Sequence, residues 1–282
     1  MSHESEIKAL INLVDDEDES IFFQVREKLL SHGVEAIPFL ENAWEHRNLG
    51  EEFQSRVEDL IHDIQFSDVT ESLKLWVENG GRDLITGILL LNKHHYPELN
   101  IGHVKSRIED IVIAIKSNWN DNLSDRQKVV AINRALFAHF NFQGDNDDYY
   151  SPANSIMSSV LERRKGNPLM LSVLYIEIAR QLGVNIIGIN LPRHFVVALK
   201  SNNEIQFYIS PFNNGTVMTL NDLKDYLLRL NLPFDTKFLE ECSNLAIVQR
   251  VLLNLSNSYM KLKNKDKLTE INYLYQIVKD RI

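Results

Sequence analysis

The chain has 282 residues, 44% hydrophobic and 24% charged, with a formal net charge of −9. That is the composition of a folded globular chain and excludes an intrinsically disordered one. The acidic balance argues against nucleic-acid binding, which needs a basic face, and Arg163-Arg164-Lys165 is the only dense basic run. One cysteine, Cys242, excludes an internal disulfide and suits a reducing compartment. The opening residues carry no basic n-region and no apolar h-region. No run approaches the roughly 18 apolar residues of a membrane span. The expected location is the cytoplasm, with no membrane partner.

Helical periodicity dominates the first third. Ile7, Leu10, Ile11 and Val14 recur at helical spacing. The acidic run 15–19 then precedes Ile21-Phe22-Phe23, Val25 and Leu29-Leu30, and acidic groups at a helix start suit the macrodipole. His32-Gly33 is a stop signal. Pro38 opens a helix carrying Phe39, Leu40, Ala43 and Trp44, and another is expected over 51–64. Such pairs, punctuated by Gly and Pro, resemble a HEAT-like α-solenoid. Asn79-Gly80-Gly81 reads as a turn, and 85–91 begins a helix closed by Tyr96-Pro97. Val104, Ile108, Ile111, Val112 and Ile115 mark a helix over 101–118. A connector, 118–124, leads to a helix over 125–140 with Ser124 as N-cap, and 141–152 reads as a loop.

Asn167-Pro168 is a helix start: Asn caps backbone N–H groups, and Pro at the first position loses no bond. The helix continues through Leu169, Leu171, Val173, Leu174, Ile176, Ile178 and Leu182 to Gly183. It is apolar on nearly every side, so it belongs inside the domain. Three extended segments follow, 186–191, 194–200 and 204–210, with the last two joined through Ser201-Asn202-Asn203. If Asn202-Asn203 is a two-residue loop, Ser201 pairs with Glu204. Counting back then sets His194 opposite Pro211 and beside Ser210. After Gly215 the pattern is helical again: 220–230, an interruption at Pro233, then 244–262 and 267–280 joined by Lys263-Asn264-Lys265-Asp266. The last two have the dimensions of one tetratricopeptide-like hairpin, which must pack on the rest of the protein.

A helix N-terminus, a strand-borne histidine and a neighbouring acid make up the layout of Cys-His-Asp enzymes. The helix dipole lowers the thiol pKa, the imidazole takes its proton, and the acid orients the ring. Here the helix opens on Pro168, and no cysteine lies near. His194 reads either as a remnant base or ligand contact, or as a hydrogen-bonded structural histidine. Ser172 is the only hydroxyl near the helix start. It is either a replacement nucleophile or, more simply, a core serine bonded to a carbonyl one turn back. Cys242 falls in an expected helical stretch and reads as a small hydrophobe. Arg163-Arg164-Lys165 reads as an anion contact, or as a solvated run pairing with Glu162 or the acidic cluster 145–148. That cluster fails the calcium-loop pattern, because Tyr150 and Ile156 stand where Gly and Glu are needed. His94-His95 and His103 make no zinc motif. No metal and no cofactor are expected.

Four segments carry a family resemblance: Tyr149-Tyr150-Ser151-Pro152-Ala153-Asn154-Ser155, Val160-Leu161-Glu162-Arg163-Arg164-Lys165-Gly166-Asn167-Pro168, Leu171-Ser172-Val173-Leu174-Tyr175 and Leu191-Pro192-Arg193-His194-Phe195. In these the chain resembles the SirB1 family. The resemblance implies a transglutaminase-like (papain-like) core, preceded by a helical segment and followed by tetratricopeptide-like helices. With the periodicity it gives an α+β, mainly α fold: a helical region over 1–96, a core with a small antiparallel sheet over 97–219, and C-terminal helices over 220–282. It also implies that Pro168 stands where transglutaminases hold the nucleophilic cysteine and His194 where they hold the histidine. Ser210 of Ser210-Pro211-Phe212 stands where the family usually has the Asp of Asp-Pro-Phe, and Arg193 where Gly is common.

The remnant triad positions are therefore Pro168, His194 and Ser210. The binding candidates are Asn154, Arg163, Asn167, His194 and Phe195. The expected function is non-catalytic binding of a protein or peptide, with a regulatory role in bacteria suggested by the resemblance. The alternative is a hydrolase or acyltransferase rewired around His194, using Ser172 or a partner's cysteine. A third reading is an assembly factor whose groove is closed by its own C-terminal hairpin.

Overall fold

The computed structural model describes residues 3–46, 50–117, 119–120 and 122–279. They fall into two units, Met1–Leu75 with Lys93–Pro97, and Trp76–Asn92 with Glu98–Ile282. Helix α1 (His3–Ile11) is followed by α2 (Glu19–His32). The acidic run between them caps α2, with the Asp18 side chain accepting from the Ser20 N–H, and Gly33 ends it at φ +60°. Helix α3 (Ile37–His46) precedes α4, which runs unbroken over Gly50–Glu78. The expected end at Ile64 is overrun because no Gly or Pro interrupts 65–78. Ile7, Ile11, Leu29, Leu40, Phe53, Val57 and Leu60 form the core of the first unit.

Next come α5 (Leu84–His95), α6 (Ile101–Lys116) and α7 (Asp125–Asn133). Ser124 and Gln127 make a full capping box at the start of α7. The helix expected to reach Phe140 changes to π-helix over Arg134–His139. Of the expected 118–124 connector, Asn118 and Asp121 lie outside the described residues, as does Asp280. The expected 141–152 loop contains a two-residue strand, β1 (Gln143–Gly144). It pairs in parallel with β2 (Lys165–Gly166), which follows α8 (Met157–Arg163). A Cβ on Gly144 would stand 2.6 Å from the Phe212 ring, so only glycine fits there.

Helix α9 (Pro168–Gln181) is the axis of the second unit and is buried on nearly every side, as its pattern predicts. Tyr175 at its middle is fully buried and donates its hydroxyl to Asn133 Oδ1 at 2.9 Å. Helix α9 lies against β3 (Ile186–Ile189) and β4 (Val196–Ser201) of a four-stranded antiparallel sheet completed by β5 (Glu204–Ser210) and β6 (Thr216–Met218). The chain after Gly215 thus adds a short strand before turning helical. Ile187, Ile189, Val196, Ala198 and Tyr208 pack with Leu223 of α10 (Leu220–Arg229). Helices α11 (Asn244–Leu262) and α12 (Lys265–Lys279) pack on each other as the expected hairpin. Cys242 is not helical: its N–H bonds Gly188 O at 2.8 Å, and burial pushes its thiol up to about 11. The fold is mainly helical α+β.

Candidate functional site

The cap of α9 is built from neutral amides. The Asn167 side chain accepts from the Met170 N–H at 2.8 Å and donates to Ser155 Oγ at 2.7 Å. The Asn167 N–H bonds Asn154 O at 3.2 Å. Asn154, itself fully buried, donates to Asp148 O and accepts from Arg163 Nη1 at 3.1 Å. Arg163 also bonds the buried carboxylate of Asp145 at 2.5 Å. Burial pushes the Asp145 pKa upward, but the Asp148 N–H and the Arg163 guanidinium outweigh it and hold the carboxyl below its ordinary range. Arg163 therefore pairs with the acidic cluster, one of the two readings its run allowed. Lys165 does the same with Asp147 at 3.0 Å.

His194 sits apart from this network. Strand β4 begins at Val196, so His194 precedes it, in a turn where Arg193 takes φ +60°. That left-handed backbone explains why glycine would suit position 193. The turn at Asn202-Asn203 is the two-residue loop expected, with both φ positive, and Ser201 pairs with Glu204. A bulge between Leu199 and Lys200 then shifts the register, so that Val197 faces Ile209. The shift carries His194 one place away from the expected partner Pro211. Its ring nevertheless reaches the Ser210 hydroxyl, with Nε2 and Oγ 3.5 Å apart.

That contact is long for a hydrogen bond. Ser210 is fully buried, and its Oγ accepts from Asn213 Nδ2 at 2.9 Å. The imidazole is walled by Phe212 and Tyr226, with ring centroids 6.3 and 5.8 Å away. Burial alone lowers its pKa to about 4, so the ring is neutral at pH 7. Ser172 is fully buried and donates to Pro168 O at 2.7 Å, one turn back. Pro168 is buried at the head of α9. Phe195 is buried too, and its ring tip fills the space beside Gly188.

The open space near the α9 cap lies elsewhere. A solvent-open cleft runs between the Tyr149–Ser155 stretch and Asn167 on one wall and α11 on the other, where Asn254, Asn257 and Ser258 face it. Of the binding candidates, only Asn167 lines this cleft; Asn154 and Arg163 brace the wall behind it. The residues of α11 were not singled out in the sequence. Their signal was present as polar positions 250, 254, 257 and 261 recurring at helical spacing along one side of the helix.

Against known proteins, the sequence profile of the transglutaminase-like superfamily matches residues 102–253. The chain belongs to the transglutaminase-like superfamily. A UPF0162 protein of Xylella fastidiosa is 31% identical over 206 residues, covering 69% of this chain and 73% of the relative. One from Vibrio cholerae is 25% identical over 182 residues, 64% of this chain and 67% of the relative. The human F-box only protein 21 is 31% identical over 163 residues, 55% of this chain but 24% of that longer protein. No solved structure matches the chain. Among the described residues, no group of His, Cys, Asp and Glu side chains is arranged to hold a metal ion, and no helix is long and apolar enough to cross a membrane.

Proposed function

We propose that this chain is a non-catalytic transglutaminase-like protein that binds a protein or peptide in the cytoplasm, with a regulatory role and no part in nucleic-acid or membrane binding. One observation carries the reading. The imidazole that a Cys-His-Asp mechanism would use as its base is neutral and half-buried, and among the described residues the hydroxyl that it meets, at 3.5 Å, is that of the fully buried Ser210. A nucleophile needs both a base in contact and access to substrate, and Ser210 lacks the second. Ser172, the other candidate, has its hydroxyl directed at Pro168 O. Pro168 brings no reactive atom to the helix mouth.

The test is a turnover assay on the full chain with amide and ester peptides and an amine acceptor, alongside serine- and thiol-directed activity probes. No product and no His194-dependent labelling is the expected result. Hydrolysis or acyl transfer that His194→Ala abolishes contradicts the proposal and restores the rewired-enzyme reading.

A further inference from the structure

Helix α11 carries an unusual polar face above the cleft. Arg250, Asn254, Asn257 and Lys261 are spaced four, three and four residues apart, which puts them along one side of a helix. Among the described residues, the Asn254 and Asn257 side chains have no hydrogen-bond partner. Ser258, beside them in the cleft, is 5% exposed, and its hydroxyl has no partner among the described residues either. That hydroxyl is not fully enclosed: it opens on the cleft, where a bound group can supply its bond.

The cations at the ends of this face also lack acids. Arg250 bonds the neutral Asn190 Oδ1 at 3.1 Å, and Lys261 lies over the Tyr150 ring. Neither meets a carboxylate among the described residues, in a chain whose net charge is −9.

We propose that this cleft binds an extended peptide segment bearing an acidic side chain, and that α11 reads it. The inference rests on the reading of the chain as a binding protein. A side-chain amide offers one acceptor and two donors, so Asn254 and Asn257 match the alternating C=O and N–H of a peptide backbone. Ser258 adds a third bond from the floor, and Lys261 at the rim pairs with the carboxylate. A saccharide would also suit amides and hydroxyls, but it needs a free aromatic face. Lys261 covers one face of Tyr150, and Tyr149 meets Tyr150 and Phe212 edge-on at 5.2 and 6.1 Å; a neutral saccharide would also leave the Lys261 ammonium without a counter-charge. The peptide is therefore the favoured occupant.

The full chain is tested on a synthetic array of acetylated, amidated octapeptides of acidic, neutral and basic composition, with a glycan array in parallel. The best peptide is then titrated by fluorescence polarisation. Acidic peptides are expected to bind. Affinity should fall about tenfold in Asn254→Leu/Asn257→Leu, and a similar amount in Lys261→Glu, with an unchanged melting temperature. Lys261 is exposed, so its variant keeps the test decisive even if the double variant folds poorly. Binding unchanged in the variants overturns the cleft assignment while leaving peptide binding itself standing. Glycan binding without peptide binding, or silence on both arrays, overturns the inference. A mass change in the bound peptide that His194→Ala abolishes overturns instead the non-catalytic reading.

Discussion

Around the Asn167 cap, Asn154, Arg163, Asp145 and Ser155 join through short bonds, and the one buried charge meets its counter-ion. Among the described residues, the His194 ring has one hydrogen-bond contact, at 3.5 Å, to a hydroxyl that already accepts a better bond from Asn213. Both corners are polar and enclosed, yet only the first is tightly bonded. The difference separates what holds a transglutaminase-like frame together from what would drive its chemistry. The cap network orders the loop, α8 and the first turn of α9 whether or not a reaction occurs there. The histidine corner would need an acid partner and an exposed nucleophile; among the described residues its ring meets the buried Ser210 hydroxyl instead.

Mutating each corner should expose that asymmetry. The largest effect is expected for Arg163→Ala, which strands the Asp145 carboxylate at 2% exposure. Equilibrium unfolding in denaturant should show a loss of about 3 kcal/mol. Ser210→Ala, by contrast, should change little beyond the Asn213 bond. An Arg163→Ala loss no larger than that of Ser210→Ala would erase the distinction between the corners.

The second effect is in pH. His194 is depressed to about 4 by burial, so between about 6.5 and 4 the unfolded chain binds a proton that the native chain does not. Stability should therefore fall as pH drops through that window, by up to about 3 kcal/mol, and level off below it. His194→Gln should flatten the slope. Asp145, held low by its partners, adds stability above its unfolded pKa and loses it only as pH falls further, through its native value. Two separable acid transitions of stability, one for each corner, are thus expected. A slope unchanged in His194→Gln would assign the first window to another group.

The smallest effect concerns the turn before His194. Arg193 occupies a left-handed backbone that glycine adopts without penalty. Arg193→Gly should stabilise by no more than about 1 kcal/mol, because glycine also loosens the unfolded chain. A loss above that size would mean that the Arg193 side chain itself does structural work.

Much of this frame was legible before any coordinates. Asn167-Pro168 marked the start of α9 because capping and the missing proline donor are local properties. Asn202-Asn203 marked the hairpin for the same reason. The register at His194 was not legible, since a bulge depends on how two strands pack and not on either alone. Nor was the parallel pair at Gly144 and Gly166, whose partners lie 22 residues apart, as their numbers show. The cleft was half visible: Asn167 stood out as a cap, but its opposite wall on α11 comes from nearly 90 residues further along. Helix periodicity says which face is polar, not what that face meets.

The most direct test of the account is an NMR titration of the His194 ring in the full chain, with Ser210→Asp beside it. The account gives an apparent pKa of about 4 for the native protein and a clear rise in Ser210→Asp, where a carboxylate would face the imidazole. A native His194 that titrates at or above about 6.5 would show a ring charged or solvated near neutrality, and the claim of a silent histidine would be contradicted.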